Sequence, residues 1–112
     1  MDKPIVWKGS SFVDLCEFPE SARRRAGYEL RRLQLGEPPQ HWRPFPQAGS
    51  GTAEIRIDCK DGWFRVMYVA KFEEAIYVLH SFSKKSRQTS KTDVVIAASR
   101  YRSVIAERES GI

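Results

Sequence analysis

Ala53-Glu54-Ile55-Arg56-Ile57-Asp58-Cys59-Lys60-Asp61-Gly62-Trp63-Phe64-Arg65-Val66-Met67-Tyr68 is the stretch that decides the fold of this 112-residue chain. Ala53, Ile55, Ile57 and Cys59 alternate with Glu54, Arg56 and Asp58, the period of a strand with one buried face. Asp61-Gly62 follows and predicts a two-residue hairpin loop, whose central residues must accept positive φ. A second strand runs from about Trp63 to Ala70. After a short turn, Lys71 to Glu74, a third runs from Ala75 to Ser83. The pattern is that of an antiparallel three-strand meander.

Upstream, Ile5 to Lys8 reads as a short first strand. Ser11, with Asp14 three residues on, resembles a capping box opening a short helix, Phe12 to Glu17. Phe18-Pro19 interrupts it, and Pro19 suits the first turn of a second helix. That helix lines up Ala22, Ala26, Leu30 and Leu33 on one stripe and ends at Gly36 with Pro38-Pro39. Its back carries Arg23, Arg24, Arg31 and Arg32. The Arg23 to Arg25 run reads as a solvated helix back that can also touch RNA. Glu37 to Gly51 is expected to be a loop holding His41, Trp42 and Arg43. Downstream of the meander, Thr89 or Ser90 caps a last helix with apolar Val94, Ala97, Ala98, Tyr101 and Ile105. The fold class is α+β, a single domain over residues 1–112, with helices packed on an antiparallel sheet.

Composition narrows the function. Lys and Arg number 19 against 14 Asp and Glu, a net charge of +5 that suits a polyanionic partner. No apolar run approaches the ~20 residues needed to span a bilayer, and Met1-Asp2-Lys3-Pro4 opens without an apolar secretory stretch, so the chain is expected in the cytoplasm. Cys16 and Cys59 are far apart and read as buried thiols of a reducing compartment. Together with His41 and His80 they do not make a metal site. Neither metal nor cofactor is expected.

The loop lengths set strand registers. A two-residue Asp61-Gly62 loop places Asp58 opposite Arg65 and Arg56 opposite Met67, and a four-residue Lys71–Glu74 loop places Arg65 opposite His80. One sheet face then collects Ile55, Ile57, Cys59, Phe64, Val66, Tyr68, Tyr77 and Leu79 as core. The other collects Glu54, Arg56, Asp58, Arg65 and His80, with Trp63 and Phe82 at one end and Lys84-Lys85 beyond. Such a cationic surface with aromatic neighbours suits single-stranded nucleic acid. RNA carries its own nucleophile, the 2′-hydroxyl. A site must therefore neutralise the phosphate, which guanidinium forks do well, and move two protons. Arg65 and Arg56 are the candidates for the first task; His80, Glu54 or a lysine of lowered pKa are those for the second. The same residues also read as a surface ion-pair ladder, Arg56–Asp58–Arg65, with a structural His80, a solvated lysine turn, and Trp42 and Trp63 as rim packing.

The segment Tyr77-Val78-Leu79-His80-Ser81-Phe82-Ser83-Lys84-Lys85, then Thr89 and a helix with Ala97 and Arg100, resembles a signature of the phage-derived branch of RelE/HigB-like toxins. Glu54-Ile55-Arg56, Trp63-Phe64-Arg65-Val66-Met67-Tyr68 and Leu35-Gly36 are similar to that family's strands and loop, so the likeness spans about Leu15 to Arg108. It implies a toxin of a type II toxin–antitoxin system that cleaves mRNA without metal, often on the ribosome, inhibits translation, and is silenced by a cognate antitoxin, expected to be a helix-turn-helix protein. It implies catalytic roles for Arg65 and Arg56, and a site lined by His80, Lys84, Lys85 and Glu54. Arg43, Trp63, Phe82 and Arg87 would contact RNA. Two features depart from the pattern: Ser90 stands where the branch has proline, and a helix replaces the final strand and aromatic tail of the best-known RelE toxins. No tyrosine is assigned to proton transfer. Two alternatives fit the same composition: a toxin-like binding module without activity, and a phage accessory protein whose basic charge is incidental.

Overall fold

A computed structural model describes residues 2–111; Met1 and Ile112, the ends of the expected domain, lie outside it. In chain order the elements are β1 (Ile5–Trp7), α1 (Ser11–Cys16), α2 (Glu20–Gln34), β2 (Trp42–Pro44), β3 (Thr52–Cys59), β4 (Gly62–Val69), β5 (Ile76–Lys84) and α3 (Lys91–Ser110). The fold is α+β as expected, but the meander is only the centre of a larger sheet. Five strands lie in the order β1-β5-β4-β3-β2. β1 pairs parallel with β5, and the other pairings are antiparallel. β2 arises from the stretch expected as loop. It is three residues long, all of them exposed, ends on Pro44, and sits at the sheet edge, where a missing N–H is tolerated.

The central hairpin closes differently from the sequence expectation. Cys59 pairs with Gly62, so Lys60 and Asp61 form the loop. Neither adopts positive φ; only Gly62 does, at 137°. A loop that needs positive φ at glycine alone avoids straining the aspartate. The register therefore slides by two, which preserves facing: Arg56 lies opposite Arg65, and Asp58 opposite Trp63. In the next hairpin Arg65 pairs with Phe82, not His80, and Met67 pairs with His80.

A β-bulge then intervenes. Met67 pairs with His80 but Tyr68 with Val78, leaving Leu79 unpaired. Its carbonyl is taken by Arg100 of α3, Nη1 donating over 3.0 Å. The bulge inverts the alternation along β5. Tyr77 and Leu79, expected in the main core, instead pack under α3 with Val69, Ala75 and Val104. His80, Phe82 and Lys84 emerge on that same side.

Helices cover both faces. α1 and α2 bury Leu15, Ala22, Ala26 and Leu30 against Ile55, Ile57, Phe64, Val66, Tyr68 and Val78, the main core. Cys59 packs only at its margin, and Cys16 is exposed, so neither thiol is buried as expected. α1 begins one residue earlier than predicted, after Ser10. Ser11 is buried and donates its hydroxyl to the Val78 carbonyl over 3.1 Å. Pro19 precedes α2 as its cap residue rather than entering its first turn. On the opposite face α3 seats Ala97 over Phe45, Ala48, Met67 and Phe82, with Val104 rather than Ile105 as its deepest contact near the end. Ser90 caps it, accepting the Asp93 N–H over 3.1 Å. Among the described residues, no helix is long and apolar enough to cross a membrane.

Candidate active site

α3 lands on only part of its sheet face. The part it leaves open is a cleft of about 340 Å3 lined by Arg43, Arg56, Asp58, Trp63, Arg65, Lys84 and Arg87. β3, β4 and β5 each contribute through the register above, β2 adds Arg43, and Arg87 comes from the segment after β5. Arg56 and Arg65 are therefore neighbours on one side of the sheet, the arrangement expected from the alternation.

Arg65 is almost wholly buried, 2 % exposed. Its Nη1 donates to Asp58 Oδ1 over 2.7 Å and to its neighbour's carbonyl, Phe64 O, over 2.8 Å. Beneath it lies Glu54, fully buried, whose Oε1 accepts from Arg43 Nε over 3.1 Å and faces Arg65 Nε at 3.9 Å. Glu54 is thus a counter-ion that holds two arginines, and its burial takes it away from a substrate. Asp58 is half-exposed. Its carboxylate marks where an anionic oxygen can sit on the Arg65 fork. Lys84, 8 % exposed, is crowded by cations. Burial, then Arg65, Arg43 and Arg56, push its pKa below the ordinary 10.5, with Glu54 pulling the other way. Trp63 stands exposed at the mouth.

The remaining sequence candidates fall elsewhere. His80 is turned toward α3, its Nε2 2.7 Å from Asp93 Oδ1, and its ring stacks on Phe82 at 4.7 Å between centroids. Burial lowers its pKa, more than Asp93 raises it. Phe82 is buried among Met67, Phe45, Ala48 and Ala97 and offers no free face. Lys85 is exposed and does not line the cleft. Sequence reasoning missed Asp93 as the partner of His80; the Ser90-x-x-Asp93 spacing, a capping signature, was the available signal. Among the described residues, no three His, Cys, Asp or Glu side chains gather as metal ligands. A larger cavity, about 580 Å3, lies between the end of α2 and β2, but its lining is chiefly apolar. The Tyr68 hydroxyl there is pushed up to about 12 by burial and Glu29, which unsuits it to proton transfer at neutral pH.

The family model described as Phage derived protein Gp49-like (DUF891) matches residues 13–102. That span contains α2, all of the meander and every residue of the cleft. No curated protein matches the chain. The chain belongs to the Gp49-like phage-derived protein family, a family of the RelE/HigB-like toxin type.

Proposed function

We propose that this protein is the toxin of a type II toxin–antitoxin system, a metal-independent endoribonuclease that cuts mRNA in the cytoplasm, on the ribosome, and so inhibits translation. The same proposal includes a cognate antitoxin, a helix-turn-helix protein, as its silencing partner. The observation that carries the proposal is the convergence of Arg56, Arg65 and Lys84 on one open end of the sheet. In the reaction the RNA 2′-oxygen attacks the adjacent phosphorus and the bond to the 5′-oxygen breaks. A 2′,3′-cyclic phosphate and a 5′-hydroxyl result. Arg65 and Arg56 supply positive charge to the phosphoryl oxygens as it develops. A phosphate oxygen replaces Asp58 on Arg65, which only requires the half-exposed carboxylate to swing out. The lowered pKa of Lys84 makes its ammonium a stronger acid, suited to protonating the leaving 5′-oxygen while water accepts the 2′-proton.

A second reading, RNA binding without cleavage, is favoured by the burial of Arg65 and its engagement by Asp58. Controlled expression followed by primer-extension mapping of transcripts separates the two. The toxin reading expects growth arrest, discrete mRNA ends and, with purified protein, cleavage that EDTA leaves intact. Intact transcripts and unimpaired growth with a folded protein would overturn it.

A further inference from the structure

The basic surface continues past the Arg65 cleft. β2 pairs with β3 only as far as Ile55; just beyond, the His41 carbonyl accepts the Arg56 N–H over 2.8 Å. There a second hollow opens, about 230 Å3, lined by Arg25, His41, Arg56 and Asp58. Arg56 and Asp58 line both hollows and form their common wall. Arg25 reaches in from α2, which packs on the other face of the sheet. The second hollow therefore carries the open face around the sheet edge toward the helical side.

Its chemistry is unfinished within the protein. The Nε atoms of Arg25 and Arg56 are both buried with no hydrogen-bond partner, an arrangement that is costly unless a ligand or solvent completes it. The neighbouring carboxylates are engaged: Asp58 holds Arg65, and Glu54 holds Arg43 and Arg65. Two guanidinium groups in one hollow, with an exposed imidazole between strand and helix, match the oxygens of a phosphodiester. We infer that this hollow is a second phosphate subsite, so that single-stranded RNA runs from the Arg65 cleft over Arg56 and around the edge of β3 to Arg25. His41 donates to the same phosphate or stacks on the flanking base. The inference rests on the RNA reading above, and its test keeps the two apart.

The full-length chain is titrated against uncleavable 2′-O-methyl RNA, one probe of about three nucleotides and one of about eight, the first below and the second within the about 4–16 nucleotides of typical single-strand sites. Fluorescence anisotropy is read at several salt concentrations. The wild type is expected to bind the longer probe more tightly. Arg25→Gln is expected to cut that advantage by about tenfold, the low end of the worth of one charge-assisted contact, and to reduce the salt slope by about 0.7, the value for one phosphate on a single strand. Arg25→Lys restores the slope but only part of the affinity. Thermal melting verifies that each variant is folded. If Arg25→Gln and His41→Ala both bind the longer probe as the wild type does, with the same slope, the subsite does not exist. If the wild type binds neither probe, the RNA reading falls and takes the subsite with it. If it binds both probes yet never cuts unmodified RNA, only the cleavage reading falls, and the Arg25 comparison still decides the subsite.

Discussion

His80 and Arg65 sit two residue pairs apart on the same face of the sheet, both buried, both polar, and they meet opposite fates. At the His80 end, α3 descends. Asp93 grips the imidazole, Phe82 stacks beneath it, and the group becomes part of the helix-to-sheet joint. At the Arg65 end, α3 has already turned away. The cations there face one another across an open cleft with fewer carboxylates than they need. Facing alone does not make a residue available for chemistry; where the covering helix begins does.

Substitutions at four positions sharpen or break that contrast. The largest effect is expected from Arg65→Ala. It leaves buried Glu54 with Arg43 alone and empties the space of a buried side chain, costing about 3–5 kcal/mol of stability as for other broken buried pairs, and abolishes cleavage; denaturant unfolding and an RNA-cutting assay read both. Lys84→Met is the cleaner probe. Loss of a proton donor should slow cleavage by about 10²–10⁴-fold, while the melting temperature holds or rises because a desolvated cation without a close acidic partner is gone. In the wild type the rate should fall as pH rises through the Lys84 pKa, at a pH below 10.5, as the ammonium deprotonates; Lys84→Arg should erase that limb. A melting temperature that drops steeply with Lys84→Met would contradict this account.

His80→Gln should act on stability, by about 1–2 kcal/mol for a lost buried hydrogen bond, and leave cleavage within a fewfold of wild type. The pH signature is specific. The folded pKa of His80 lies below its ordinary 6.5, so on acidification the unfolded chain takes up this proton first. The stabilisation is present above about pH 6.5 and is lost as pH falls through the folded value, and His80→Gln should flatten that part of a melting-temperature profile. Cleavage abolished in a folded His80→Gln protein would return the histidine to the site and undo the contrast. The smallest effect is expected from Asp58→Asn. Freeing the Arg65 fork of a competing anion should tighten RNA binding severalfold in anisotropy, most clearly at low salt.

Much of this was legible in the chain. The alternation from Ala53 to Asp58 placed Glu54, Arg56 and Asp58 on one side, and a slide of two residues at Lys60-Asp61 left that side unchanged. What local pattern did not carry was long-range. Nothing in Tyr77-Val78-Leu79-His80 announces a bulge, because the bulge is fixed by Arg100 reaching the Leu79 carbonyl from another element. β1 gave its strand but not its partner, since a parallel pairing leaves no turn signal nearby. Nothing local singled out Glu29, yet it is fully buried, because Gln40 returns over it and donates its backbone N–H to Oε2 over 2.9 Å. Which candidates would share a cleft depended on where α3 settles, and a periodicity of 3.6 locates a helix without saying what it covers.

The parallel seat of β1 beside β5 bears on how the molecule comes into being. Ser11 reaches the Val78 carbonyl across 67 positions of sequence, and β1 pairs along the same strand. During synthesis β1 has no edge to dock on until β5, about 70 residues downstream, has been made. Lys84 lies at the far end of that same late strand. A chain synthesised only as far as β4 therefore holds neither the complete sheet nor an assembled cleft, and both come into being together once β5 is made.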